Sequence, residues 1–220
     1  MKDALTLGTT CFGAQQLSLQ YCQYPMQQKP KVTFKNIENE KIKRSFMKVL
    51  ERYTKLHQCQ VSLKQKPIKS STMQAQPVFS FGSLFSGITH YKVKLAILVR
   101  DSKNLKVAEL PEDVLTGWFA HELGHLVDYR SYNNLNMILF GVKYLISEKF
   151  KTEAEHAADR IAIRHGFRQE IIATKKFILE HNLLEESYKN KIRKYYMPIE
   201  MAEVWEHAHV PVSAKPDVEL

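Results

Sequence analysis

From Asn36 onward the apolar residues Ile37, Ile42, Phe46, Val49, Leu50, Tyr53 and Leu56 recur at helical spacing. Asn36 or Asn39 can accept hydrogen bonds from the first free amides, so the pattern predicts one long helix with a polar cap. The period then shortens. Three extended runs, CQVSL at 59–63, QPVFSF at 76–81 and YKVKLAILV at 91–99, are punctuated by Pro, Ser and Gly and predict a small sheet. In the last run Val93, Leu95, Ile97 and Val99 alternate with Lys92, Lys94, Ala96 and Leu98, which reads as a strand with one buried face, at or near a sheet edge. From Pro111 the helical period returns and persists. Helices are expected near 112–130, 134–148, 151–165, 169–181, 184–195 and 199–207, with Gly166 ending the third. Strands followed by a helix-rich half give the α+β class.

The two ends carry no such periodicity. Residues 1–30, rich in Gln, Thr and Ser with Pro25 and Pro30, read as a loosely attached leader, and 208–220, with Pro211 and Pro216, as a tail. One domain over 31–207 remains. Thr, Gly and Asp interrupt the apolar run that a signal peptide would need in MKDALTLGTTCFGAQQ. The most apolar window elsewhere, LNMILFGVKYLI at 135–146, contains Asn136 and Lys143 and falls short of the ~20 residues of a membrane span. No span is expected.

Composition narrows the function classes. The formal net charge is +9, concentrated at 29–69 and in KNKIRK at 189–194, but no zinc-finger spacing or aromatic RNA-binding stripe accompanies it. A nucleic-acid partner is therefore not expected. Cys11, Cys22 and Cys59 are an odd number at unrelated spacings, giving neither a disulfide framework nor a cysteine metal site, and they favour a reducing compartment such as the cytoplasm.

The chemistry is concentrated in GWFAHELGHLVDY, residues 117–129. On a helix turning about 100° per residue, His121 and His125 are separated by only about 40°, so both imidazoles can reach one ion. Glu122 lies about 100° round from His121, beside the ion, where it can take a proton from an activated water. Trp118, Phe119, Leu123, Leu126 and Val127 make this a core helix, and buried histidines require partners.

A catalytic zinc needs a third protein ligand and an open position. The extended motif H-E-x-x-H-x-x-G-x-x-H would place Gly and His at 128 and 131, where this chain has Asp128 and Ser131. A cysteine ligand of the deformylase kind finds only a faint echo around Cys59. A later helix, KTEAEHAADRIAIRHGF at 151–167, supplies Glu155 and Asp159, four apart on one face. Ion pairing with Lys151 or Arg160 on a wet surface is the ordinary explanation of such a pair. Its position after the two histidines favours ligation instead, because the 29 residues 126–154 let the chain turn and return across the first helix. Glu155 becomes the third metal ligand, and Asp159, one turn on, can accept the second ring N–H of a ligating histidine.

The pair HELGH at 121–125 and EHAAD at 155–159 resembles the gluzincin metallopeptidases, in particular the family containing the CAAX prenyl endopeptidases and the heat-shock membrane protease, and the compact minigluzincins. The likeness covers roughly residues 90–167. It implies a zincin-like fold, a small mixed sheet whose edge strand, here 91–99, would bind extended substrate, and an active-site helix. It also implies one zinc ion, Glu122 as general base and a peptide or protein substrate. Transmembrane helices of the membrane-embedded relatives have no counterpart here, so their substrates are not carried over. A donor for the developing oxyanion is expected among Tyr195, Tyr196, His181 and Arg164. Asp128 and Tyr132 extend the histidine face toward the cleft or the core, and 135–146 either walls an apolar pocket or packs inside. The alternative is a zinc-stabilised interaction module without turnover; an intact Glu122 argues against it, since a purely structural site is closed by a fourth ligand.

Overall fold

The sheet begins earlier than the hydrophobic pattern predicts. In the computed structural model, which describes residues 30–68, 71–79, 88–132 and 134–205, Lys31–Lys35 already form strand β1. Residues 1–29 of the expected leader, the last two residues of the expected 199–207 helix and the expected tail 208–220 lie outside the described residues. β1 pairs parallel with β2 (Gln60–Gln65), β2 pairs parallel with β4 (His90–Leu95), and β4 pairs antiparallel with β3 (Met73–Pro77). The order is β1-β2-β4-β3. In this register Val61 stands between Val32 and Tyr91, and Leu63 between Phe34 and Val93, so one face of the sheet is continuously apolar.

Two strand expectations are corrected. The run 91–99 is strand only to Leu95; Ile97 and Leu98 are exposed, and Val99 turns back to hydrogen-bond Leu105. β4 is next to the edge, within the expected edge-or-near-edge position, but the outermost strand on that side is β3, so the substrate-binding edge implied for 91–99 is not formed by that run. β3 starts three residues before the predicted 76–81 segment, and residues 80 and 81 lie outside the described ones.

Helix α1 (Glu40–Arg52) is capped by Asn39, whose side chain accepts from the Ile42 amide, and it buries Ile42, Phe46, Val49 and Leu50. The predicted continuation to Leu56 is a separate short 3-10 turn. Six helices follow: α2 (Glu112–Tyr129), α3 (Asn134–Ile146), α4 (Glu148–Arg164), α5 (Arg168–Glu180), α6 (Glu186–Tyr195) and α7 (Ile199–Val204). α4 starts before the predicted residue 151 because the Ser147 hydroxyl caps it by accepting from the Phe150 amide. Gly166, at φ +82°, ends it as expected. Among the described residues the molecule is thus α+β, a four-stranded mixed sheet with seven α-helices and a mostly helical second half.

α2 is apolar nearly all round, and it is the central element, packed against α1, α4, α5 and β3. Two glycines allow neighbouring helices to come close. A Cβ on Gly117 would stand 2.1 Å from the Glu170 carbonyl oxygen of α5, and one on Gly124 would stand 2.7 Å from the Ala158 carbonyl oxygen of α4. Tyr53, at the end of α1, donates its hydroxyl to the Ala120 carbonyl at 2.7 Å, tying α1 to α2 beside His121.

Candidate metal centre

His121 and His125 leave α2 on the side that faces α4, one turn apart, with ring centroids 4.8 Å from each other and planes nearly perpendicular. Because Gly124 and Ala158 let the two helices approach, Glu155 reaches both rings. Its Oε2 lies 2.9 Å from His121 Nε2 and 3.5 Å from His125 Nε2. One donor atom from each of the three residues falls within 4.8 Å of the others, and all three residues are buried. This group could hold a metal ion.

The remaining hydrogen bonds aim the donors. Asp159 Oδ1 lies 2.9 Å from His121 Nδ1, as the spacing of α4 predicts, and this leaves Nε2 facing Glu155. Asp159 Oδ2 accepts from Lys175 Nζ at 2.7 Å and from the Met197 amide at 3.3 Å, while Lys175 also donates to the Met197 carbonyl at 2.7 Å. The hydroxyl of Tyr144 on α3 donates to Glu155 Oε1. Glu122 points out of the trio toward the sheet, where its Oε2 accepts from the Ala75 amide of edge strand β3 at 2.9 Å. Its carboxylate therefore sits where α2 meets the sheet edge.

The charges suit a cation. Burial disfavours charge on His121, yet the Asp159 and Glu155 carboxylates overcome it and raise the imidazole to about 10. Burial also opposes ionisation of Glu155 and Asp159, but the histidines beside the first, and Lys175 with His121 beside the second, hold both below the ordinary carboxylate range. Burial pushes Glu122 upward, against the pull of His125 and His121. With both imidazoles neutral, as ligation requires, the cluster holds three carboxylates, Glu122, Glu155 and Asp159, and the ammonium of Lys175 on Asp159, so a divalent ion between the imidazoles would balance it. Two imidazole nitrogens with one carboxylate oxygen also match the donor set of an open transition-metal site.

Tyr196 alone of the four expected oxyanion donors lies against the centre, its ring stacked on His121 at 5.0 Å. The Tyr195 hydroxyl bonds Glu148, His181 caps the turn at Leu183, and Arg164 is exposed in the last turn of α4. Burial, then Glu155, holds the Tyr196 phenol well above its ordinary range, so it is a neutral donor. Tyr132 packs edge-on against Phe140, and Asp128 is half-buried.

Tyr144, Lys175 and the Ala75 amide are parts of the centre that the sequence pattern does not assign. Lys175 does leave a trace. It interrupts the buried stripe Ile171, Thr174, Ile178 of α5, where a charged residue calls for an internal partner. Tyr144 lies in the apolar run 135–146, and nothing local distinguishes it from a packing residue. Comparison with models of protein families, curated proteins and solved structures finds no match to the chain.

Proposed function

We propose that the chain is a zinc-dependent metallopeptidase of gluzincin type. The observation that carries this reading is the convergence of His121, His125 and Glu155 from two helices, with the intervening Glu122 left out of the trio and turned to the free edge of β3. A structural site has no need of such a carboxylate, whereas hydrolysis needs a base beside the ion. The likeness of HELGH and EHAAD to the gluzincin pattern supports the same assignment.

His121, His125 and Glu155 would hold the zinc, which when bound supplies Lewis acidity toward water and a peptide carbonyl. Glu122 takes the proton of the attacking water and passes it to the leaving amine. Its carboxyl, raised by burial, is poised closer to neutrality than an exposed glutamate and so exchanges that proton more readily. Asp159, held ionised by Lys175, fixes the tautomer of His121 and strengthens its basicity. Of the four expected oxyanion donors, Tyr196 is the one that lies beside a ligand, stacked on His121, and it is the candidate for that role. The edge of β3 offers backbone groups to an extended peptide, with Ala75 beside the base.

The test is cleavage of a broad peptide mixture by the zinc-loaded chain, by the same chain after chelation, and by Glu122→Gln. Cleavage that needs zinc and falls about 10²- to 10⁴-fold in Glu122→Gln, with the metal retained, is the expected result. Retained zinc with no cleavage by either form would assign a non-catalytic module.

A further inference from the structure

Helix α3 is buried on only one side. Met137, Phe140 and Tyr144 face the core, Phe140 meeting Tyr129 and Phe150 and Tyr144 reaching Glu155. On the opposite side Ile138 (55% exposed), Leu139 (48%), Val142 (49%), Leu145 (84%) and Ile146 (78%) stand in water. At helical spacing these five occupy about 120° of arc, so they form one stripe rather than scattered exceptions. Isolated exposed aliphatics are ordinary, whereas a contiguous stripe with no acidic residue in it marks an interaction surface.

Its border says what it meets. Lys143 lies at the edge of the stripe, and Lys149 and Lys151 come next in the first turn of α4, against the single acid Glu148, which is itself paired with Lys194 at 2.6 Å. Lys151 rests over the rings of Tyr144 and Tyr195, at 5.5 and 4.5 Å, which brings basic α6 to the same end of α3. An apolar helix face edged by lysines complements an anionic lipid surface, which offers apolar depth and negative headgroups together.

We propose that α3 is an interfacial membrane-docking helix, lying in the plane of an anionic bilayer with Ile138, Leu139, Val142, Leu145 and Ile146 inserted among the headgroups. No helix among the described residues is long and apolar enough to cross a membrane, and α3, with 13 residues, is of a length to lie along the surface and not to span it. Tyr144 bonds the ligand Glu155 from the far side of this helix, so docking sets the metal centre one helix diameter from the lipid surface. This attachment is independent of whether the centre is catalytic.

The experiment is co-flotation of the full chain with vesicles of phosphatidylcholine alone and of equal parts phosphatidylcholine and phosphatidylglycerol. The chain is expected to float with the mixed vesicles and weakly or not at all with the neutral ones, and to be released as salt is raised. Leu145→Glu with Ile146→Glu, both surface positions whose far-UV circular dichroism should match wild type, loses at least tenfold in binding. Lys143→Glu loses about fivefold on mixed vesicles only. The proposal is overturned if wild type ignores both vesicles, if the double variant binds like wild type, or if the stripe proves to be a self-association face, with a dimer in solution that the double variant dissociates.

Discussion

Replacing Gly124 by alanine adds one methyl group where α2 crosses α4, at a point where the two backbones already touch. The new carbon would lie 2.7 Å from the Ala158 carbonyl oxygen and 3.2 and 3.3 Å from its Cα and carbonyl carbon. These are backbone atoms, so no side chain can swing aside and the helices themselves must separate. Reaching an ordinary contact of 3.4 Å requires about 0.7 Å of opening. Metal–ligand distances tolerate only about 0.2 Å, so a shift of this size takes Glu155 off an ion held by His121 and His125. The expected loss in zinc affinity is at least the 10- to 100-fold seen when a residue orienting a ligand is removed. Stability of the metal-free chain should fall by about 1–3 kcal/mol from overpacking, partly offset by the roughly 1 kcal/mol that alanine gains over glycine in a helix. Competition against a chromogenic chelator reads the affinity, and thermal melting in chelator reads the stability. Gly141→Ala is the control, since a Cβ there meets nothing within 4 Å and should leave zinc affinity unchanged. Wild-type zinc affinity in Gly124→Ala would refute the claim that close helix approach builds the site.

Lys175→Met strands the buried Asp159 carboxylate, so chemical denaturation should show about 3–5 kcal/mol of lost stability and chelator competition a weaker metal site. Tyr144→Phe removes a donor from Glu155 while keeping the ring, and should weaken zinc about tenfold with little change in melting temperature, measured on the same two assays. For pH, His121 is raised in the fold from its ordinary 6.5 to about 10, so its contribution to metal-free stability is complete below about 6.5 and is lost as pH rises toward 10. A metal must displace that proton, so zinc affinity measured by calorimetry should instead rise about tenfold per pH unit across this window. Asp159 is depressed, and its contribution, present at neutral pH, disappears as pH falls through its lowered value; acid titration of the melting temperature checks this.

The centre was legible where it depends on spacing along one helix. His121 and His125, and Glu155 and Asp159, are placed by the helical period alone, and that period survives folding because both helices are long and capped or buried. Spacing could not give anything that arises from two elements meeting. β3, with the sequence MQAQP, alternates apolar and polar residues but has no β-branched or aromatic side chain to mark it as a strand, and it forms because β4 supplies its hydrogen bonds. β1 is five residues with Val32 and Phe34 as its only large apolar side chains, too short to stand out from the polar leader. The second half of YKVKLAILV continues the apolar run yet is not strand, because the chain leaves the sheet there to return through Leu105. The lysine under Asp159 and the tyrosine on Glu155 come from α5 and α3, and only their packing against α4 brings them in.

Zinc stoichiometry by equilibrium dialysis with elemental analysis, on wild type, Glu155→Ala and Glu122→Gln, bears most directly on the shared site of α2 and α4. One zinc per chain in wild type and in Glu122→Gln, with loss of tight zinc in Glu155→Ala, is the predicted result. Tight, stoichiometric zinc in Glu155→Ala, or none in wild type, would contradict it.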